Sequence, residues 1–239
     1  MANRQPTPVN ELVFFDGLAA STITALQSIA RYQTLVAGQH LFNQGDTARA
    51  FYVVLSGGVR LVEHTTEGKA LNLKVYGPGD VFGLLAIAGG FTYHAGVVAL
   101  TTSDVIAFDG VQTRQLLHQH PDLALRIIDE LVDHVHHSHD RIRQMAVEKV
   151  RRRVARALLH FCSKFGQTEP DNRVSANFSQ KDIAEFTGTT IETVNRFLRE
   201  WEKLGYIEWK RMRIILLEPE KLHQIADDNE DMGMTYLVE

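Results

Sequence analysis

The sequence predicts an α+β chain in three parts: a small antiparallel β-barrel or roll, one long helix, and a helical module closed by a β-hairpin. Three observations lead there. Between Leu35 and Phe108, short β-branched and aromatic runs (HLF, FYVVL, VRLVEH, LNLKVY, GVVAL, DVIAF) alternate with glycine-bearing turns. From Pro121 to Val150, apolar residues recur in steps of three and four. From Phe178 to Arg199, FSQKDIAEFTGTTIETVNRFLR, two short amphipathic segments meet at Gly188.

Taken in order, Met1 to Asn10 is polar, carries two prolines and is expected to be loose. Leu12 to Tyr32 is expected to be helical, with Leu18, Ile23, Leu26 and Ile29 near a helical period. The strand-rich part is punctuated at Gly45-Asp46, Gly57-Gly58, Glu67-Gly68 and Gly77 to Asp80. Gly83 to Gly96, GLLAIAGGFTYHAG, interrupts it with a short apolar loop or helix, a natural place for a ligand on the wall of a small barrel. In the long helix, Ile128, Leu131, Val135, Ser138, Ile142 and Met145 form a heptad seam, which calls for a second helix and favours a dimer. Arg151 to Phe165 is a further helix, followed by a loop, Gly166 to Arg173, that contains Pro170. Gly205 to Leu217 reads as a two-stranded wing, Pro219 opens a short last helix, and the acidic end is expected to be disordered. The expected divisions are 11–120 for the barrel, 121–150 for the long helix, 151–225 for the helical module and 226–239 for the acidic tail.

The stretch around Gly188 carries the most chemistry. Ser179 can cap the first segment, with Asp182 as a capping-box acid, and Ile183, Ala184 and Phe186 give it an apolar face. Thr189 or Thr190 can cap the second, whose buried stripe is Val194, Phe197 and Leu198. Its other face holds Ile191, Glu192, Asn195, Arg196 and Arg199, groups suited to base edges and phosphates in a major groove. Alanine at the fifth position and glycine at the ninth make this a helix-turn-helix; Thr187, before the glycine, stands where an apolar residue is usual.

Composition narrows the classes. The 239 residues are 44% apolar and 23% charged, with a formal net charge of -4, so nucleic acid must be met by a local patch. Lys149 to Arg156 (KVRRRVAR) and Trp209 to Arg213 (WKRMR) are such patches. The single cysteine, Cys162, excludes an intramolecular disulfide and reads as a small core residue. No signal peptide, long apolar run or lipidation signal is visible, so a cytoplasmic protein without a membrane partner is expected. A metal-dependent barrel enzyme would need clustered His and Glu on neighbouring strands, and no HxH with a following Glu occurs there, so no catalytic residues are expected.

The order of parts resembles the Crp/Fnr family of bacterial transcription regulators over roughly Leu12 to Leu217. Its marks here are the QGD turn (Gln44 to Asp46), FYVVLSGGVRL around Gly57, GPGDVFG, and IETVNRFL. The resemblance implies a cyclic-nucleotide-binding-like β-roll sensor, a dimerisation helix and a winged helix-turn-helix. It implies a homodimer on a palindromic operator in double-stranded DNA, with RNA polymerase as a further partner. Carried over, Glu192 and Arg196 match the residues that read a cytosine and a guanine. Ile191 matches the aliphatic residue of the Fnr branch, and Asn195 stands where that branch often has serine. Ser179 and Gln180 match phosphate contacts, Lys210 and Arg211 in the wing are further phosphate candidates, and Thr189, Thr193 and Arg199 complete the DNA-facing set.

The sensor departs from the cyclic-nucleotide branch. Leu84 stands where that branch has a glutamate for the ribose, and Tyr93 and His94 stand where it has an arginine for the phosphate and a hydroxyl-bearing neighbour. A buried phosphate without a guanidinium partner is poorly compensated, so cyclic AMP is not the expected effector. One cysteine cannot hold an iron–sulfur cluster. The expected effector pocket is Leu84, Tyr93 and His94 with Ser138 and His139, the positions from which the family's dimer helix touches its effector. Those histidines, near the HVHHSH run, leave three readings open: haem with nitric oxide or carbon monoxide as the signal, a small organic effector, or surface histidines that bind nothing. A metal at His134 and His137 would lack a visible third ligand.

Overall fold

The computed structural model describes residues 12–66, 70–171, 173–210 and 212–227. The chain divides into two compact units, 1–141 and 142–239.

Among the described residues of the first unit, eight strands form two antiparallel sheets. They are β1 (Ala30–Leu35), β2 (His40–Phe42), β3 (Ala50–Ser56), β4 (Val59–His64), β5 (Ala70–Tyr76), β6 (Val81–Phe82), β7 (Gly96–Ala99) and β8 (Ser103–Asp109). One sheet runs β1-β8-β3-β6 and the other β2-β7-β4-β5. Alternation along each strand sends one set of side chains between the sheets, including Phe42, Tyr52, Val54, Val59, Tyr76, Phe82, Val97 and Val105, and Tyr93 from the segment before β7 joins them. The other face of the first sheet (Phe51, Val53, Leu55, Ile106, Phe108) builds a second core with Phe14, Phe15, Leu26, Leu123 and Ile127.

The expected helix from Leu12 to Tyr32 is shorter than its period suggests. Val13–Phe15 is one 3-10 turn, α1 is Ala20–Ile29, and Ala30 already pairs with Phe108 as the start of β1. Strand β1 is an edge with a largely exposed face, so its polar residues carry no alternating signal and extend the apparent helix instead. Helix α2 (Leu85–Ala88) is the interruption expected after Gly83. It lies so close to the start of α3 (Gly110–Leu117) that a Cβ at Gly110 would sit 2.2 Å from the Ala86 carbonyl oxygen.

Helix α4 runs from Pro121 to Val147, and a short break at Glu148 and Lys149 precedes α5 (Val150–Phe165). The first turns of α4 are tied down. Asp122 accepts from the Ala19 amide at 2.9 Å and from the Thr22 hydroxyl at 2.8 and 3.0 Å. Arg126 donates to the Phe14 and Val13 carbonyls.

In the second unit, α5 lies against α6 (Gln180–Thr187), α7 (Ile191–Lys203) and α8 (Pro219–Asp227). Phe161 on α5 is fully buried and meets Phe178 and Phe186 at ring-centroid distances of 4.9 and 5.3 Å. Cys162 beside it is buried, and burial pushes its thiol up to about 12, as a core residue requires. The wing is part of a larger sheet than the sequence suggests. β11 (Ile207–Lys210) and β12 (Arg213–Leu216) are joined by β10 (Val174–Asn177) and β9 (Gln167–Thr168), in the order β11-β12-β10-β9. The residues of the N-terminal stretch and of the acidic tail beyond Asp227 lie outside the described residues.

Candidate nucleic-acid interface

The two helices of the motif start where local chemistry dictates. The Ser179 Oγ accepts from the Asp182 amide at 3.1 Å while the Asp182 carboxylate accepts from the Ser179 amide at 2.9 Å, a complete capping box. Helix α6 ends at Gly188, whose φ of 63° and ψ of 37° lie in the left-handed region that glycine adopts without strain. Thr187 is tolerated in its buried place because its hydroxyl donates to the Ile183 carbonyl at 2.7 Å. Thr190, of the two threonines considered, caps α7 by accepting from the Thr193 amide at 3.2 Å.

Helix α7 then separates its faces cleanly. Val194, Phe197, Leu198 and Trp201 are buried, while Ile191, Glu192, Arg196 and Arg199 are exposed. Arg196 holds its guanidinium over the Phe197 ring at 5.0 Å, a contact that restrains a long, exposed side chain. The Glu192 carboxyl is held below its ordinary range by the amide N–H at the helix start and by the Thr190 hydroxyl, so it presents an acceptor. Asn195 is half-buried, and its Oδ1 accepts from Gln180 Nε2 at 3.4 Å, a bridge between the two helices of the motif. Thr189 is half-buried and bonds its amide to the Ala184 carbonyl, and the Thr193 hydroxyl lies 3.1 Å from that of Thr190. In the wing, Lys210 is exposed and paired with Glu208, and Arg211 lies outside the described residues.

The basic run KVRRRVAR is not the open patch the sequence suggests. Arg153 donates to the carbonyls of Thr187 and Glu148 at 3.1 and 2.8 Å. Arg152 and Arg156 donate to the Ala226 carbonyl, at the end of α8, and Arg156 also pairs with Glu148 at 2.7 Å. Arg151 pairs with Glu200 on α7 at 2.7 Å. A helix leaves its last carbonyls unsatisfied, so Arg152, Arg153 and Arg156 serve as caps for α6 and α8. Linear sequence shows a charge run but not the helix ends that will consume it.

The residues expected to form an effector pocket fall in different settings. Tyr93 is buried: its ring is stacked on Phe42 at 3.7 Å, and its hydroxyl donates to the Ala50 carbonyl at 2.5 Å. Burial also raises its pKa above the ordinary tyrosine range. Leu84 packs against the core that contains Phe14 and Phe51. His94 is exposed. On α4, Ser138 and His139 are exposed, and the Ser138 hydroxyl is turned back onto the His134 carbonyl at 2.8 Å. Among the described residues, two of the surface clefts on the barrel lie apart from Leu84, His94, Ser138 and His139. One, of about 460 Å³, is lined by His40, Asn43, Gln44, Val62, His64, Gly96 and Val98. The other, of about 390 Å³, is lined by Phe42, Asp46, Thr47, Arg49, Tyr52 and Tyr93. Sequence reading missed the second cleft, because Arg49 and Thr47 follow the QGD turn and lie far along the chain from Tyr93.

Comparison with known proteins settles the family. Residues 32–120 match the cyclic nucleotide-binding domain and residues 152–225 the Crp-like helix-turn-helix domain, together well over half of the chain. The chain belongs to the Crp/Fnr family. It is 29% identical to the global nitrogen regulator of Synechocystis, covering 80% of this chain and 87% of that protein. It is 24% identical to a CRP-like cAMP-activated global transcriptional regulator of Mycobacterium tuberculosis, covering 89% and 95%. Among solved structures, a CRP/FNR-family transcriptional regulator of Thermus thermophilus superposes with a TM-score of 0.68 at 27% identity, over 82% of this chain and 98% of that one. FixK2 of Bradyrhizobium japonicum shares the fold, with a TM-score of 0.72 at 20% identity over 82% and 97%.

As a Crp/Fnr member the chain is a DNA-binding transcription regulator, and the capped, two-faced α7 is the element that such a role requires. No described helix is long and apolar enough to cross a membrane.

Proposed function

We propose that this Crp/Fnr protein is a homodimeric, effector-responsive regulator of a palindromic operator whose half-site is nearer the Fnr-type TTGAT than TGTGA. The observation that carries the operator reading is the exposed face of α7. Glu192 accepts from cytosine N4, Arg196 spans guanine O6 and N7, and Ile191 offers a methyl-bearing surface to thymine where a donor would be needed for guanine. Ser179, Gln180 and Lys210 then serve phosphates. The dimer reading rests on α4. Ile128, Leu131, Val135 and Ile142 are 53, 45, 48 and 66% exposed along one seam, with Leu125 and Val132 beside them. A solvated apolar stripe of that length is costly until a second copy covers it. Met145, the last expected seam position, lies outside the described side chains.

For the effector, haem and a small organic molecule both stand ahead of cyclic AMP. Leu84 offers no acceptor for a ribose hydroxyl, and Tyr93 already spends its hydroxyl on Ala50. Several relatives are cAMP-activated by name, so the question is open to direct test. Operator affinity measured with and without micromolar cyclic AMP is expected to be unchanged; a fold-change in affinity at that concentration would overturn this reading of the sensor.

A further inference from the structure

We propose that the dimer of this chain binds Zn²⁺ on each flank of the α4 seam, held by His134 and His137 of one copy and the partner's His139. This site deepens the dimer reading above and rests on it.

The register of α4 brings these residues together. The helix is continuous from Pro121 to Val147. With Ile128, Val135 and Ile142 at the a positions of the heptad, Leu131 and Ser138 fall at d. β-Branched residues at a with leucine at d favour two parallel strands. A two-fold operator asks for the same arrangement, since both copies must leave α4 toward one DNA. In that register HVHHSH, from His134 to His139, reads g-a-b-c-d-e. Val135 and Ser138 enter the seam, and all four histidines fall on its flanks. His134 at g faces the partner's His139 at e, the pairing that carries interhelical ion pairs in coiled coils. His137 lies three residues on from His134, on the same side of the helix.

One protomer presents only part of this site. His134, His137 and His139 are exposed, and among the described residues no three His, Cys, Asp or Glu gather to hold a metal. The second copy supplies the missing ligand. Two local bonds prepare for it. The His137 Nδ1 lies 2.7 Å from the Asp133 carbonyl oxygen. A carbonyl only accepts, so Nδ1 carries the proton and Nε2 keeps its lone pair, the usual arrangement of a ligating imidazole. The Ser138 hydroxyl donates to the His134 carbonyl at 2.8 Å. Its layer of the seam is therefore small, with its polar group spent, so the helices can approach and the flanking imidazoles can reach across. Neutral imidazole suits Zn²⁺, and three nitrogens with one water complete its tetrahedron. Mg²⁺ demands oxygen ligands, which this set does not offer. Because the site exists only across the seam, bound metal favours the dimer.

Strip the full-length protein with EDTA, remove the chelator and titrate with Zn²⁺ calorimetrically in excess Mg²⁺. Compare the wild type with His139→Ala, Leu131→Asp and His64→Ala, an exposed histidine elsewhere on the barrel. Sedimentation of each, in EDTA and in Zn²⁺, gives the oligomeric state. The inference expects one saturable Zn²⁺ per protomer in the wild type and in His64→Ala. Affinity should fall about tenfold or more in His139→Ala, and likewise in Leu131→Asp, which keeps every histidine but loses the partner. No saturable Zn²⁺ on a dimeric wild type, equal affinity in His139→Ala, or equal affinity in a monomeric Leu131→Asp would each overturn the site and leave the dimer reading standing. A wild type that is monomeric in EDTA and in Zn²⁺ alike would overturn the dimer reading and the site with it.

Discussion

Arg153 donates from Nε to the Thr187 carbonyl at 3.1 Å, one residue before the turn glycine of the helix-turn-helix. With its second bond to the Glu148 carbonyl, it joins the break before α5 to the end of α6. The expected consequence of Arg153→Ala is therefore lost stability. Two carbonyls at helix ends lose a charged donor, which costs about 1.5–3 kcal/mol in this half-buried setting. Denaturant unfolding should show the loss, while the salt dependence of the remaining folded protein's operator binding keeps its slope. A slope reduced by about one, with unchanged stability, would restore Arg153 as a phosphate contact.

Asp122 gives the first unit an acid-sensitive latch. The Ala19 amide, chiefly, and then the Thr22 hydroxyl hold its carboxyl below the ordinary aspartate range. A carboxyl depressed by folding contributes stability above its unfolded pKa, and that contribution is lost as pH falls through the folded value. Asp122→Asn should flatten the acid limb of the stability–pH curve below the ordinary aspartate range. It should leave the neutral-to-alkaline limb with the wild-type slope. Thermal unfolding from acid to mildly alkaline pH checks both; an acid limb as steep in the variant as in the wild type would remove Asp122 from the account.

The stripe on α4 is expected to drive self-association. Leu131 is 45% exposed, so Leu131→Asp leaves the protomer's own core intact and charges the centre of the seam. Sedimentation should give a dimer for the wild type and a monomer for Leu131→Asp at micromolar concentration. A monomeric wild type would refute the seam.

Much of this was legible in the chain, and the failures have common causes. Apart from the two-residue β6, the strands from His40 to Phe108 were readable because each is short, rich in β-branched or aromatic residues and bounded by a turn, and α6 and α7 because their caps are local side-chain chemistry. Strands β1 and β9 were not, because edge strands owe their pairing to a single distant partner, and β10, four residues between β12 and β9, is too short and too polar to show its period. Arg152 and Arg156 looked like a nucleic-acid patch because their acceptor, the Ala226 carbonyl, is a helix end 74 and 70 residues further along the chain. Tyr93 was found as a pocket-segment residue, but its partners Phe42 and Ala50 lie on other strands, and only the folded structure shows its hydroxyl already spent.

The central claim is that α7 of a dimer reads a two-fold operator through Glu192, Arg196 and Ile191. Selection from random duplex DNA with the full-length protein tests it most directly, in the wild type, Ile191→Arg and Arg196→Ala. The expected result is a palindrome with TTGAT-type half-sites for the wild type and a gain of guanine preference at one step for Ile191→Arg. For Arg196→Ala, preference should relax at one base pair, with about 1–3 kcal/mol lost on the wild-type site. Enrichment of TGTGA half-sites by the wild type, or of sequences without two-fold symmetry, would contradict it.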